Sequence, residues 1–511
     1  MRRPLAAIST VVVLLLLAGS VLGGSSSGEL ALKFPVVWSA GGAVGKKFLV
    51  RAGVSGFPLV VSGWDVTARS GFYAPGTRLA VFRSGRMLGI TQAGSGGLSA
   101  LLSSPVPDGE LVEVVEGMSF RAGQVAYGAW HSLVPLPDGR VVARGANHYG
   151  QLGDGTVQTA TSAVFVKDPA GGGDLTGVVQ VAAGTGHSLA LLSDGRVVAW
   201  GRNQCGQLGD GTTVNRSLPV FVLDPVEDRP LEGVVQVASY ADSSFALLRD
   251  GRLLAWGDNY YGTLGDASRT NRSRPVFVKG VGSSEYLTGV LQVAPGGRHT
   301  LALLSDGQVA VWGVNTNGQL GQNKTYSQLS MNGKPLLVVG TSGSGTLTGV
   351  VQVAAGYWHS VALLADGRVV AWGGNGSGQL GNNSTTDRTY PGYVWGVGGS
   401  GYLTGVTAVA SGGYHSLAVL SDGRVVSWGS NDRGELGNGA SGSSAYRLVP
   451  GYVLGVGGTG QLVAVWVTGK GQSCAAVVPD GGLTAWGTNS SGMLGDGTTV
   501  DRLYPVPVNL P

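Results

Sequence analysis

An Asp-Gly pair recurs seven times at a near-constant interval along this 511-residue chain, and that recurrence constrains the fold more than any other feature. The Asp residues are Asp138, Asp194, Asp250, Asp306, Asp366, Asp422 and Asp480, spaced 56, 56, 56, 60, 56 and 58 residues apart. A period of this length marks a repeat architecture, in which each unit buries its apolar face against its neighbours. In the copy that starts at Gly177, segments 178–181, 188–192, 197–200 and 219–222 are short, apolar and rich in β-branched residues, with turn residues between them. Ser193-Asp194-Gly195-Arg196 reads as a tight hairpin, because Gly takes a positive φ without steric cost. No sustained helical period follows residue 24. Four antiparallel strands repeated seven times predict an all-β fold, a seven-bladed β-propeller whose closed ring leaves few free strand edges.

The seven units can be compared with one another. Six residues past the Asp stands Trp200, Trp256, Trp312, Trp372, Trp428 or Trp486, with Arg144 in the first unit. Nine past it is Asn in every unit: Asn147, Asn203, Asn259, Asn315, Asn375, Asn431 and Asn489. A catalytic group is needed once, whereas a blade-packing group is needed in every blade, so these positions read as scaffold. Five of the six His (His131, His187, His299, His359, His415) lie seven residues before the Asp, each followed by Ser or Thr. A ring of metal ligands or bases would need them to converge. One per blade spreads them around the ring, which points instead to buried imidazoles bonding to backbone. His148 alone is out of this register.

Gly-x-x-His-Ser, then Asp-Gly, then Trp-Gly-x-Asn-x-x-Gly-Gln-Leu-Gly runs through residues 184–209 and again through 356–381. In these motifs the chain resembles the regulator of chromosome condensation repeat family, over about residues 123–511. The resemblance implies a seven-bladed propeller, in agreement with the count above. It also implies a choice between branches: guanine-nucleotide exchange on Ran with chromatin docking, or a secreted bacterial-type propeller such as a protein inhibitor of β-lactamases. Arg144 for Trp, Ser243 and Ser473 for His, and Pro295 for Ala depart from the pattern and mark blades one, three and seven as less regular.

The N-terminus favours the secreted branch. Met1-Arg2-Arg3, an apolar run over 5–17 and the small residues Ala18, Ser20 and Gly23 read as a secretory signal occupying residues 1–23. An uncleaved anchor is the alternative, since 5–22 is nearly long enough to span a bilayer. Export, to the medium or the cell surface, excludes the Ran role. A net charge of +4 with no basic stripe argues against nucleic acid. Cys205 and Cys474 fall in non-adjacent blades, too far apart for a disulfide. Residues 24–122 lie outside the repeat; strands over 47–52, 58–62, 78–82 and 111–115, with a turn at 83–86, predict a small β-sandwich-like domain. Its aromatics Trp38, Trp64, Phe72 and Tyr73 read as packing rather than as a carbohydrate site.

Topology then orders the propeller's faces. In an up-and-down meander the Asp-Gly hairpins share one face, so the turn entering the second strand and the loop leaving the third share the other. At those two places the units vary freely. The candidate binding residues are Trp130, His148, Tyr149, Tyr260, Tyr261, Arg298, Trp358, Tyr414, Asp432 and Arg433, of types over-represented at interface hot spots. The crossovers on the opposite face are Gly-rich and read as spacers without anchors. No break in the repeat introduces an acid pair or a nucleophile with its base, so no catalytic residue, metal site or cofactor is expected. The expected protein is a monomeric, non-enzymatic extracellular binder of a protein partner. A cell-surface adhesive component is the alternative, and an enzyme acting on polysaccharide is the more distant one.

Overall fold

The computed structural model describes residues 125–283 and 285–511, and before them the backbone of seven strands between 31 and 115. Contacts divide the chain into two compact units, Met1–Ser119 and Phe120–Pro511. The second is a seven-bladed β-propeller. Seven four-stranded antiparallel sheets follow one another in chain order, over 126–165, 178–221, 234–277, 290–337, 350–393, 406–452 and 466–507. Every blade is built from consecutive strands. Its first strand is innermost, and the first strands of successive blades pack on each other around the axis. In the second blade the strands are Val178–Ala183, His187–Leu192, Val197–Gly201 and Arg216–Phe221, close to the segments expected from sequence.

The hydrophobic core lies between blades rather than within them. One apolar cluster occupies each seam; that between blades one and two, for example, joins Leu133, Val141 and Leu152 to Val181, Val198 and Trp200. The cluster of Val125, Tyr127 and Val142 with Ala475, Ala485 and Leu494 closes blade seven on blade one. The six Trp are fully buried. Each donates its indole N–H to a carbonyl of the preceding blade, as Trp200 does to Gln151 (2.9 Å) and Trp312 to Thr263 (2.7 Å). At the closing seam Arg144 takes the Trp position and donates to the carbonyls of Gly495 and Asn509, both at 3.0 Å. Blades one, three and seven are nonetheless complete four-stranded sheets.

The Asp-Gly turn is a latch as well as a hairpin. Gly195 has φ of 86° and donates to the Leu192 carbonyl, while its own carbonyl accepts from Val234 N of the next blade (3.0 Å). The same bond recurs from Val178 to Gly139 and from Val290 to Gly251. Each repeat Asn is buried, and its side-chain oxygen accepts the amide of the Leu five residues on, as from Leu208 to Asn203 (2.9 Å). These repeated residues are scaffold.

In the first unit the strands Pro58–Val61, Arg78–Arg83 and Leu111–Val115 lie at the segments expected, Gly45–Leu49 begins two residues before its expected segment and ends three residues short of it, and Arg83 pairs with Arg86 across the expected turn. With Ala31–Leu32, Arg86–Gly94 and Gly97–Leu101 they form one seven-stranded sheet. The signal-like segment 1–23 and the aromatics Trp38, Trp64, Phe72 and Tyr73 lie outside the described residues.

Candidate binding face

Each blade ties its two variable tips together. The turn before the second strand offers a carbonyl that accepts from the amide beginning the loop after the third: Trp130 from Ala146 (2.8 Å), Arg298 from Val314 (2.8 Å), Trp358 from Gly374 (2.7 Å) and Tyr414 from Ser430 (2.9 Å). Turn and loop are therefore one unit on one face, opposite the Asp-Gly latches. Trp130 and Trp358 occupy the same register on that face.

Five of the ten candidate residues form a continuous ridge. Tyr260 and Tyr261 meet edge to face at 4.9 Å. Arg298 lies 4.3 Å from the Tyr261 ring centre on one side and 4.8 Å from Trp358 on the other. Trp358 donates its indole N–H to the Tyr414 hydroxyl (3.3 Å). The other five are not in this run. Tyr149 sits under the Arg202 guanidinium at 5.5 Å, and Arg202 pairs with Asp242 at 3.2 Å. Arg433 is exposed and faces Asp501 at 3.4 Å, beside exposed Asp432. Trp130 is 49% exposed, and His148 is exposed as well.

Sequence comparison missed three members of this site. Tyr357 continues the ridge, 5.3 Å from the Tyr414 ring and 5.5 Å from Tyr240. It is seated between two glycines: a Cβ at Gly297 or Gly413 would lie 2.6 or 2.7 Å from its ring carbons. Tyr240 ends the innermost strand of blade three and is buried. Lys470 ends that of blade seven and holds its Nζ 4.5 Å from the Tyr240 ring centre. It also donates to the carbonyls of Ala183 and Ser239, and burial pulls its ammonium down to about 7. Lys470 thus crosses the mouth of the central channel, above a cavity of about 200 Å³ lined by Gln180, Gln236 and Gln292 among others. These glutamines act as clips between innermost strands; Gln180 both donates to and accepts from the Val237 backbone (3.0 and 2.9 Å). The signal for Tyr240 and Lys470 was present in the repeat, three residues before the His register, where the other five blades have Gly.

The repeat His are buried as expected, but their partner differs. His131 bonds the Ser188 hydroxyl of the next blade (3.0 Å), and His187, His299 and His359 bond Ser244, Ser360 and Ser416 at 2.9–3.0 Å. Cys474 takes that place for His415 (2.9 Å). Ser188 donates its own proton to the Gln151 carbonyl (2.8 Å), so the imidazole Nε2 must carry the hydrogen. A hydroxyl already committed to a backbone carbonyl is a better acceptor here than the backbone, whose groups are used by the strands. Burial drives all five imidazoles down to about 3, so they are neutral at ordinary pH and ill suited to acid-base work. The Asp of the Gly-Asp-Gly turns is filled by internal donors; Asp210 accepts from Asn203, Thr212 and Arg216. Among the described residues no group of three or more His, Cys, Asp or Glu could hold a metal ion. Both cysteines are free.

The opposite face differs from the expectation of bare spacers. Its crossovers contain short antiparallel bridges, Lys279 to Tyr286 and Trp395 to Tyr402. Tyr286 and Tyr402 are largely exposed and stack on Phe277 and Tyr393 at 4.5 and 4.9 Å. Bridge pairing holds these tyrosines where a glycine-rich spacer would leave none.

Known proteins match this arrangement. The family described as RCC1-like domain matches residues 167–511, and the regulator of chromosome condensation (RCC1) repeat matches 138–191. The ultraviolet-B receptor UVR8 of Arabidopsis thaliana is 31% identical over 337 residues, 65% of this chain and 70% of the receptor. The probable E3 ubiquitin-protein ligase HERC6 of Homo sapiens is 34% identical over 310 residues, 60% of this chain but 28% of that ligase. Among solved structures, Prp20p from Saccharomyces cerevisiae superposes with a TM-score of 0.61 at 22% identity, covering 77% of this chain and 89% of that one. Human WBSCR16 gives a TM-score of 0.55 at 23% identity, covering 73% and 94%. At these identities the structural likeness shows the fold alone.

Proposed function

This chain belongs to the RCC1 repeat family, and from that premise we propose that it is a non-enzymatic propeller which recognises a protein partner through the face carrying Tyr260, Tyr261, Arg298, Trp358 and Tyr414. One observation carries the reading. The most variable positions of an otherwise fixed repeat assemble side chains from blades three to six into one unbroken run of rings around a guanidinium. Aromatic and Arg side chains with apolar bodies and polar tips are what protein interfaces concentrate at their energetic centres. Relatives lend support: UVR8 is named a receptor, and the structures of the yeast proteins concern binding of Prp20p to Gsp1p and histones, and of RCC1 (Prp20) to Kap60. We further propose that the protein works outside the cell, on the strength of the basic, apolar and small-residue pattern of residues 1–23.

The test is capture of partner from the native culture medium by immobilised full-length protein. Joint replacement of Tyr260, Tyr261, Trp358 and Trp130 by Ala should abolish saturable capture while leaving the melting temperature unchanged. Undiminished capture by that variant would place the binding surface elsewhere.

A further inference from the structure

Blades three and seven depart from the repeat in the same coupled way. Three residues before each repeat His stands Gly128, Gly184, Gly296, Gly356 or Gly412, and a Cβ at any of these would run into the imidazole of its own blade. Glycine and histidine are therefore a single requirement, since a side chain at one position excludes the ring at the other. Blades three and seven have neither. Ser243 and Ser473 replace His, and Tyr240 and Lys470 replace Gly. The two substituted side chains come from non-adjacent blades and meet over the channel, with Lys470 Nζ 4.5 Å from the Tyr240 ring centre. Drift would not be expected to break one rule twice at the two positions whose replacements touch. Local rules are abandoned in concert where a site requires it.

The chemistry of Lys470 is that of a cation awaiting a counter-charge. An ammonium has three donors, of which the Ala183 and Ser239 carbonyls take two. Among the described residues no carboxylate pairs with it, and withdrawing such a charge from water is costly. Arg298 is the second such cation. Tyr261 and Trp358 hold its guanidinium from both sides, yet it makes no hydrogen bond or ion pair with any described residue. Arg202 and Arg433 on the same face do pair, with Asp242 and Asp501. Between the two lone cations the rings of Tyr240, Tyr357, Tyr414 and Trp358 are in unbroken contact.

We propose that this ridge seats an acidic segment of the partner protein, one carboxylate taking the fork of Arg298 and another reaching Lys470 at the channel mouth. The inference rests on the preceding reading of this face as a protein-binding surface and adds the partner's chemistry. A planar guanidinium with every N–H available matches a carboxylate bidentately, and the flanking rings hold it in place beforehand. A long polyanion fits less well, because Asp242 and Asp258 stand at the blade-three tip beside Tyr260, and Asp432 stands at the blade-six tip with Tyr414, so that carboxylates flank the short run between Arg298 and Lys470. The occupant is a short acidic stretch.

The experiment uses the full chain and a fluorescein-labelled, Glu-rich decapeptide, with its Gln counterpart and a ten-nucleotide single-stranded DNA as comparison probes, read by anisotropy at pH 6.5. The Glu peptide should bind saturably, and the Gln peptide at least about tenfold more weakly. Lys470→Met and Arg298→Gln should each weaken the Glu peptide by about tenfold, and Arg298→Lys by less, since it keeps the charge but loses the fork. No binding of the Glu peptide by the wild type, equal binding of both peptides, or unchanged binding by both variants with intact melting curves would overturn the proposal. So would tighter binding of the DNA, or concentration-dependent self-association that the peptide cannot displace, which would make a second copy the occupant. If the aromatic quadruple variant loses partner capture while the Lys470 and Arg298 variants retain it, this proposal falls and the binding face stands. If all variants retain capture, both fall.

Discussion

Blades two and five resemble blades three and seven in strand layout and differ in one small place. In blade two Gly184 lets the His187 ring lie against the backbone and reach Ser244 of the next blade. In blade three Tyr240 occupies the position of that glycine, Ser243 turns its hydroxyl to the Asp258 carbonyl of its own blade (2.9 Å), and the tie to the next blade is gone. The difference teaches how a repeat protein can make a site. The seam keeps its Trp, its latch and its glutamine clip, so a single inter-blade bond can be given up and a side chain aimed at the axis in exchange. Stability is distributed over seven near-equivalent seams, and function can occupy the few positions where that equivalence is abandoned.

The largest expected effect exposes the shared half of the comparison. Five imidazoles that titrate near 3 in the fold titrate near 6.5 once unfolded, so between those values the unfolded chain binds more protons and stability falls as pH falls. The slope should approach about 7 kcal/mol per pH unit near pH 5, at 1.36 kcal/mol per proton. Urea titrations between pH 7 and 4 would measure it. A shallow slope would mean the His seams open before the fold does. Next, Trp312→Ala, in the seam between blades three and four, and Trp372→Ala, in the seam between blades four and five, should each cost ~3–5 kcal/mol. Equal losses by calorimetry would show that the departure at 240 and 243 leaves the rest of its seam intact, whereas a much smaller loss at Trp312 would show a generally loosened seam.

A double-mutant cycle breaks the comparison directly. Ser243→His alone should destabilise, because Tyr240 blocks the ring. Combined with Tyr240→Gly it restores the geometry of the other five blades and should recover ~1–3 kcal/mol of coupling. Additive effects would show that glycine and histidine are independent after all. The smallest mutational effect concerns Lys470. Its folded-state value of about 7 lies below the usual 10.5, so the unfolded chain again holds the extra proton and stability rises with pH from 7 towards 10.5. Lys470→Met should remove that rise and stabilise the neutral-pH fold by ~1 kcal/mol, since a half-buried ammonium without a carboxylate partner among the described residues is gone. A variant that keeps the alkaline rise would assign it to another group.

Much of this was legible before any coordinates. The interval between Asp-Gly pairs, the alternation of short apolar runs, the sixfold Trp and the sevenfold Asn point to blade count, strand number and scaffold, because backbone pairing and seam packing repeat with the sequence. The topology of a meander also placed Trp130 and Trp358 on one face. Contact among Tyr261, Arg298 and Trp358 was not legible, since it depends on how far each tip leans towards the next. Tyr240 and Lys470 were missed for a different reason: sequence alignment compares a position with its equivalents, while these two matter through each other, across a ring whose closure brings blades three and seven together. The bonding partner of the His went wrong for the same cause, lying in the next blade rather than in the local strand.

The hydrogen bond that fastens each turn to its neighbouring loop joins backbone atoms and so does not depend on which side chains a tip carries, and this has a practical consequence for protein engineering. Residues at one tip can be randomised without rewiring the adjacent sheet, so a phage-display library could vary several tips in parallel and select new footprints. Members of such a library should keep similar melting temperatures while differing widely in what they capture.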